Sequence, residues 1–456
     1  MTGLFSLYDV GISAMNASTA KASVAERNVA NANTAGYERE DVGLSSMLGA
    51  PIVGGVNVGS ASRSDDQLLA SRERTQAGLS ARADDLVSSL TQLETSLAPQ
   101  SGGVVDAISN LFGGFSELQS SPLDPALRSD LVDRASALQD AFHQAASDIA
   151  ASQSDADTNL TSLSQSATSI AGQIAKLNQA IATSDDPVLK DQRDQAAKDL
   201  ATITGGSARI DSDGKMRFVL EGGQVLVDGD RAAQMTTHPD AQRQGHVDVL
   251  IVDGARTIDA TSSISSGRIG AQLSFRDGTA ANAASSLDQL AYDLATQINQ
   301  VHRANEGLDG TSGRDFFVQP TQVEGAASSL NLSSDIAQNP SHIASRGANQ
   351  GAGDTTGLDQ LIALGSANTA AGGTSTFTNE AIRLVGAVGS ASKDAQNAQQ
   401  LEGSRKDFLD SLRSSVSGVS QQEELTNLMT FQNAADAAHQ FVKTVDQMFQ
   451  DLISNI

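Results

Sequence analysis

A row of apolar side chains running to the last residue limits what this chain can fold into. Leu428, Phe431, Ala435, Ala438, Val442, Val445, Phe449, Leu452 and Ile456 recur at strict three–four spacing, with no Gly or Pro between them. That is the a/d seam of a helix about 43 Å long. A helix cannot cover so narrow a stripe by itself, so it requires a partner. Residues 4–29 carry a second, weaker heptad through Leu4, Tyr8, Gly11, Met15, Ser18, Ala22, Ala25 and Val29. Small residues facing the Phe and Leu of the C-terminal seam suit close packing, so the two ends are expected to pair as a helical hairpin. The same spacing also fits two ordinary helices lying on a globular core.

At 456 residues the whole chain is too long for one core, and two to four domains are expected. Without cysteine there is no disulfide framework, thiolate metal site or Cys nucleophile. A net charge of −24 argues against a broad basic surface for nucleic acid or anionic lipid. Residues 1–36 stand apart from that charge, since Asp9 and Glu26 balance Lys21 and Arg27. A neutral end on an acidic body suits packing against copies of itself. No apolar run is long enough to span a membrane. The first residues lack a basic stretch and carry Asp9, which makes a poor cleavable secretory signal.

Asn and Gly in Asn31-Ala-Asn-Thr-Ala-Gly-Tyr37 predict the end of the first helix and a turn, followed by a Gly- and Val-rich linker with short extended pieces over 40–62. Helical spacing then covers about 65–97 and 104–120. The longest stretch, about 125–183, leaves open a break at the polar run Ser152–Asn159. Asp185-Asp186-Pro187 starts another helix. From Met216 the period changes to two, with Asp-Gly and Gly-Gly turns, which predicts a β-meander. Helix returns at about 280–305 and again from Thr376, broken by Ser417-Gly418-Val419.

The expected fold is therefore α+β, mainly α, in a discontinuous layered arrangement. Residues 1–36 with 421–456 form a terminal coiled coil, and 37–203 with 271–305 and 376–420 a helical bundle. Residues 204–270 form an inserted small antiparallel β domain, and 306–375 a loop-rich subdomain.

No constellation of catalytic residues emerges. The six His residues are scattered without a His-x-x-x-His pair, and His439 reads as a polar neighbour of the terminal seam. The loop Asp309–Asp315 lacks the middle acids and final Glu of a calcium loop, and Gly351–Gly357 lacks the Lys of a phosphate loop. Asp185-Asp186 and Glu423-Glu424 sit where acids favour a helix N-terminus. No cofactor, metal site or enzyme activity is expected.

Taken together, the two ends resemble the axial proteins of the bacterial flagellum (rod, hook and hook-associated). Asn31, Asn33, Thr34, Gly36 and Tyr37 match the N-terminal motif of that superfamily. Ser417, Gly418, Val419, Glu424, Phe431 and Gln432 match its C-terminal motif. Asp191–Gln195, Gly267–Gly270 with Phe275–Asp277, and Gly313–Phe317 are most similar to the hook-associated branch that forms the first hook–filament junction. Asn433, Ala434 and Asp436 depart from its pattern of bulky residues. The resemblance implies an uncleaved protein exported through the flagellar type III apparatus and built into the extracellular flagellum. Implied partners are copies of itself, hook protein, the second junction protein and an export chaperone, with no nucleic acid or membrane. A different rod or hook component, or a soluble coiled-coil adaptor, is the alternative.

Overall fold

Asp124 and Asp186 each cap a helix that opens on proline, accepting a hydrogen bond from the second following amide. Such local signals set most boundaries in the computed structural model, which describes residues 2–34, 36–49, 52–64, 66–99 and 102–454. The chain begins with α1 (Thr2–Asn31), then a hairpin of β1 (Glu40–Gly49) and β2 (Ile52–Arg63). Four helices follow: α2 (Gln67–Leu97), α3 (Val104–Ser120), α4 (Pro125–Ser184) and α5 (Pro187–Thr204). A β region carries β3 (Ser207–Ile210), β4 (Met216–Val219), β5 (Val225–Asp228), β6 (Arg231–Ala232), β7 (Gln234–Pro239), β8 (Val247–Asp253) and β9 (Arg256–Asp259). After α6 (Gly267–Ser274) and α7 (Ala281–Ala304) come the short α8 (Ser334–Gln338) and α9 (Thr356–Leu364). The chain closes with α10 (Phe377–Ser417) and α11 (Gln421–Ser454). The fold is mainly α with small antiparallel sheets.

Two apolar cores lie along α4. Its first half packs with α2, α3, α7, α9 and α10 around Phe115, Phe142, Phe316, Phe317 and Phe377. Its second half packs with α5, α6 and both sheets around Leu160, Ile174, Phe218 and Ile251. At 60 residues, α4 is about 90 Å long.

The polar run Ser152–Asn159 does not break it. Ser152, Ala156 and Leu160 are buried, and the polar residues serve as a docking point. Asp157 accepts from Arg276 Nη1 at 2.5 Å and the Val247 amide at 3.2 Å, and pairs with His246 Nδ1 at 2.7 Å. Arg276 is fully buried, and its guanidinium also reaches the Val247 carbonyl and Asp277. It lies in a turn of π-helix, 275–280, that joins α6 to α7 and re-aims the helix beside α4.

Three further expectations change. Residues 40–62 are a continuous paired ribbon of two long strands, not a linker with short pieces. The ribbon packs mainly along α1 and meets the bundle at its foot, where Arg63 reaches α5. The β region is not one meander but two sheets, ordered β3-β4-β5-β6 and β7-β8-β9, and residues 267–270 already belong to α6. The two glycines explain that last boundary. A Cβ on Gly267 (φ +67°) would fall 2.5 Å from the nitrogen of Gly205, the C-cap of α5, so the exit from α5 and the entry to α6 meet backbone to backbone.

Residues 306–375 do not form a separate core. Phe316, Phe317, Leu330, Ile336 and Ile343 insert among the helices of the first core. The loop is held by polar side chains from α7. Asn299 Oδ1 accepts from the Phe316 and Phe317 amides at 2.9 Å each, and its Nδ2 donates to the Phe317 carbonyl at 2.9 Å. His302 Nε2 accepts from the Ala344 amide, so its Nδ1–H donates to the Arg314 carbonyl. Burial pushes this imidazole down to about 4, and it stays neutral.

Replacing fully buried Asn299 with Leu strands two amide donors and a carbonyl. It should lower stability by about 3 kcal/mol or more. Scanning calorimetry reads this directly, and an unchanged melting temperature would mean that aromatic packing alone holds the loop.

Candidate functional site

Gly11 decides how the two ends of the chain meet. A Cβ there would come within 2.7 Å of Val442 Cγ2 and 3.0 Å of Phe441, so only glycine admits α11 so close to α1. The helices run antiparallel. Near their free end the Phe449 ring meets Phe5 at 4.9 Å and Tyr8 at 6.4 Å between centroids. Near the body, Asn28 Nδ2 donates to Glu424 at 3.2 Å. Leu4, Tyr8, Met15 and Val29 are half-buried along this contact and Ala22 is buried. On α11, Leu428, Phe431, Ala435, Ala438, Val442 and Phe449 are half-buried and Val445 is buried. Leu452, one turn beyond Phe449, is exposed in the single copy. Ile456 and Ala35 lie outside the described residues.

Pairing leaves much apolar surface uncovered. Leu425, Met429, Phe441, Met448 and Ile453 on α11, with Phe5 and Leu7 on α1, are exposed. Among the described residues, α1 is the one element packed along α11. The ribbon of β1 and β2 covers another side of α1, where Ser13 Oγ accepts from the Val56 amide at 3.2 Å.

Where this pair joins the body, the two sequence motifs come together. Asn28 is almost fully buried. Its Oδ1 accepts from the Glu40 amide at 2.9 Å and Tyr37 Oη at 2.8 Å, and its Nδ2 donates to the Glu40 carbonyl at 3.0 Å. Glu424, also buried, receives Arg39 Nη2 at 2.7 Å, and the Arg39 amide donates to the Ser417 carbonyl at 3.1 Å. Glu424 is therefore not the simple helix-dipole acid that its position suggested. Arg27 pairs with Glu40 at 2.7 Å. Asn31 Nδ2 closes the end of α1 by donating to the Arg27 carbonyl, and Thr34 bonds Asn31.

Gly36, at φ +84°, lies against Gln195, and Arg413 donates to its carbonyl at 3.0 Å. A Cβ at Gly418 would fall 2.2 Å from the Ser414 carbonyl oxygen, which fixes glycine between α10 and α11. Asn33 and Gln432 face solvent, and half-exposed Val419 lies in the short connection. Asn28, Glu38, Arg39 and Arg63 were missed, although the first three sit within or beside the first motif.

Beneath that motif lies a buried ionic cluster drawn from five segments. Arg63, at the end of β2, contacts Asp191 and Asp194 of α5 at 2.8 Å each and Glu38 at 3.6 Å. Arg413 of α10 stands 3.9 Å from both Glu38 and Glu73 of α2. The internal stretch Asp191–Gln195 is thus the socket for the first motif. Burial pushes the Glu38 carboxyl up to about 7, against the pull of Arg63 and Arg413. Burial also raises Asp191 and Glu73.

No group of His, Asp and Glu able to hold a metal occurs among the described residues. Asp309 is instead saturated by Arg314 at 2.6 Å, which holds its carboxyl far below the usual range.

Residues 90–317, half of the chain, match the family described as the flagellar hook-associated protein FlgK helical domain. The chain belongs to the FlgK family. It is 27% identical over 326 residues to flagellar hook-associated protein 1 of Salmonella typhimurium, covering 68% of this chain and 59% of that protein. The match thus spans less than two thirds of the length of that relative. The Bacillus subtilis protein of the same name is 26% identical over 511 aligned positions, covering 100% of this chain and 99% of that one. A solved structure, the flagellar hook junction protein FlgK from Burkholderia pseudomallei, shares the fold with a TM-score of 0.70. That likeness covers 76% of this chain and all of that one, at 17% identity.

In this FlgK-family chain the buried carboxyl of Glu38 sets a testable pH dependence. Its proton is held more tightly in the folded than in the unfolded protein. Its contribution to stability is therefore full below pH about 4.5 and is lost as pH rises to about 7. Melting temperatures of the native protein and Glu38→Gln should diverge across that window, the native protein losing ground as pH rises. Parallel curves would mean that Glu38 is ionised throughout.

Proposed function

We propose that the chain polymerises through its paired terminal helices into the junction between hook and filament of the bacterial flagellum. One observation carries the reading: α11 is a 34-residue helix packed on a single partner, with exposed apolar side chains along it. Two helices bury too little surface to order firmly by themselves, so neighbouring copies supply the missing cover. The net-neutral first helix lets such neighbours approach without the repulsion that a −24 chain otherwise carries.

On this reading residues 1–36 and 421–456 form the innermost layer of a tube. The helical body stands outside it and the β region outermost. Hook protein contacts one end of the ring of copies and the second junction protein the other. An export chaperone shields the α11 seam before assembly, and the type III apparatus delivers the chain to the cell exterior. The role is structural rather than enzymatic, in keeping with relatives named for their association with the hook.

Deleting residues 428–456 should abolish addition to isolated hooks while the melting transition of the helical body persists. Phe449→Asp should act the same way, placing a charge against Phe5 and Tyr8. Truncated protein that still docks on hooks would overturn the assignment of α11.

A further inference from the structure

Where the two ends of the chain join the body, one guanidinium serves two buried carboxylates. Arg413, near the end of α10, stands 3.9 Å from Glu38 and 3.9 Å from Glu73, too far to hydrogen-bond either. It donates instead to the Gly36 carbonyl at 3.0 Å. Glu38 and Glu73 are each only 7% exposed. Glu38 Oε2 and Glu73 Oε1 are buried and have no hydrogen-bond partner among the described residues. Two ionised carboxylates facing one cation would leave a buried negative charge uncompensated, which is costly unless water or a proton reaches it.

The charges around the pair do not remove that excess. Facing Glu38 are Arg63 of β2 and Asp191 and Asp194 of α5, and Arg63 is held by both aspartates at 2.8 Å. Facing Glu73 are Lys198 of α5, Asp410 of α10 and Arg74 of its own helix. Lys198 lies 3.7 Å from Asp410, which also holds Lys406 at 3.0 Å. Arg74 is buried close by, yet its Nε has no partner among the described residues. Burial accordingly pushes both carboxyls up, Glu38 to about 7. The two acids differ in stiffness. Glu73 sits inside α2, whereas Glu38 lies in the connection between α1 and β1, its amide 3.4 Å from Asp191 Oδ2.

We infer that Glu38 and Glu73 share one proton across Arg413, and that this proton locks the paired ends of the chain to the body. With the proton bound, one carboxyl is neutral and the other has the guanidinium to itself. With both ionised, repulsion acts on the softer partner, and residues 36–40 lift from α5. Proton gain and loss then belong to the pair rather than to either acid alone. The closed joint holds its proton more tightly than the open one does. The lock is therefore full at acid pH and is released as pH rises through about 7. It operates within a single copy and does not depend on polymerisation.

Hydrogen exchange followed by mass spectrometry on the dilute full-length chain reads the lock. Divided by the intrinsic rate, exchange of the amides at 36–41 should quicken about tenfold or more from about pH 5.5 to about pH 8.5. Buried amides of α4 should keep their protection over the same range. Glu38→Gln and Glu73→Gln should each abolish the response, since glutamine keeps the shape of the protonated acid, and the double variant should do no more than either. Protection of α4 in each variant verifies that it has folded, and the native profile needs no variant. A response that survives in folded Glu73→Gln means that Glu38 titrates alone, which overturns the shared proton. Equal protection of 36–41 at both pH values in the native chain, or loosening of α4 in step with the joint, overturns the lock. Addition to isolated hooks tests the assembly role separately from any of these results.

Discussion

The contact between Asn28 and Glu424 ties together residues nearly the full length of the chain apart, and the rest of the molecule is arranged to permit it. Both side chains are buried, so each must be fully hydrogen-bonded to tolerate the loss of water. Asn28 meets that demand through Glu40 and Tyr37, and Glu424 through Arg39. The requirement fixes the angle at which the ribbon leaves α1 and the point at which α10 gives way to α11. Polar groups do this better than apolar ones because they accept one geometry. Apolar seams slide; a saturated buried asparagine does not.

The second constraint is steric. Gly11, Gly36 and Gly418 sit where side-chain atoms cannot: against α11, above the Asp191–Gln195 socket, and beside the Ser414 carbonyl. With Gly267 against Gly205, they mark the places where the chain changes direction or two elements touch without side chains between them. Larger apolar residues fill the intervals and give the helices their cores.

The helices were legible because their period, caps and proline starts agree at every level from Asp124 to Ile181. The antiparallel pairing of the ends was legible from two complementary seams. The exposure of Leu452 was not, because heptad spacing does not say which seam positions a single partner covers. The ribbon at 40–63 was obscured by its glycines and serines, which weaken strand propensity although its pairing survives two bulges. Ser152–Asn159 left the continuity of α4 open because polar residues facing a buried arginine look, in sequence, like residues facing water. Glu38 and Arg63 needed the fold itself, since Asp191 and Asp194 come from a helix far along the chain.

One consequence of α4 remains. A single unbroken helix threads both cores, and the Arg276–Asp157 weld clamps its middle to the sheet and to the π-turn before α7. The cores cannot swivel about one another without tearing a backbone ladder. A twist applied to one core is therefore carried to the other by α4 itself, which ties the two into one body and not beads on a string.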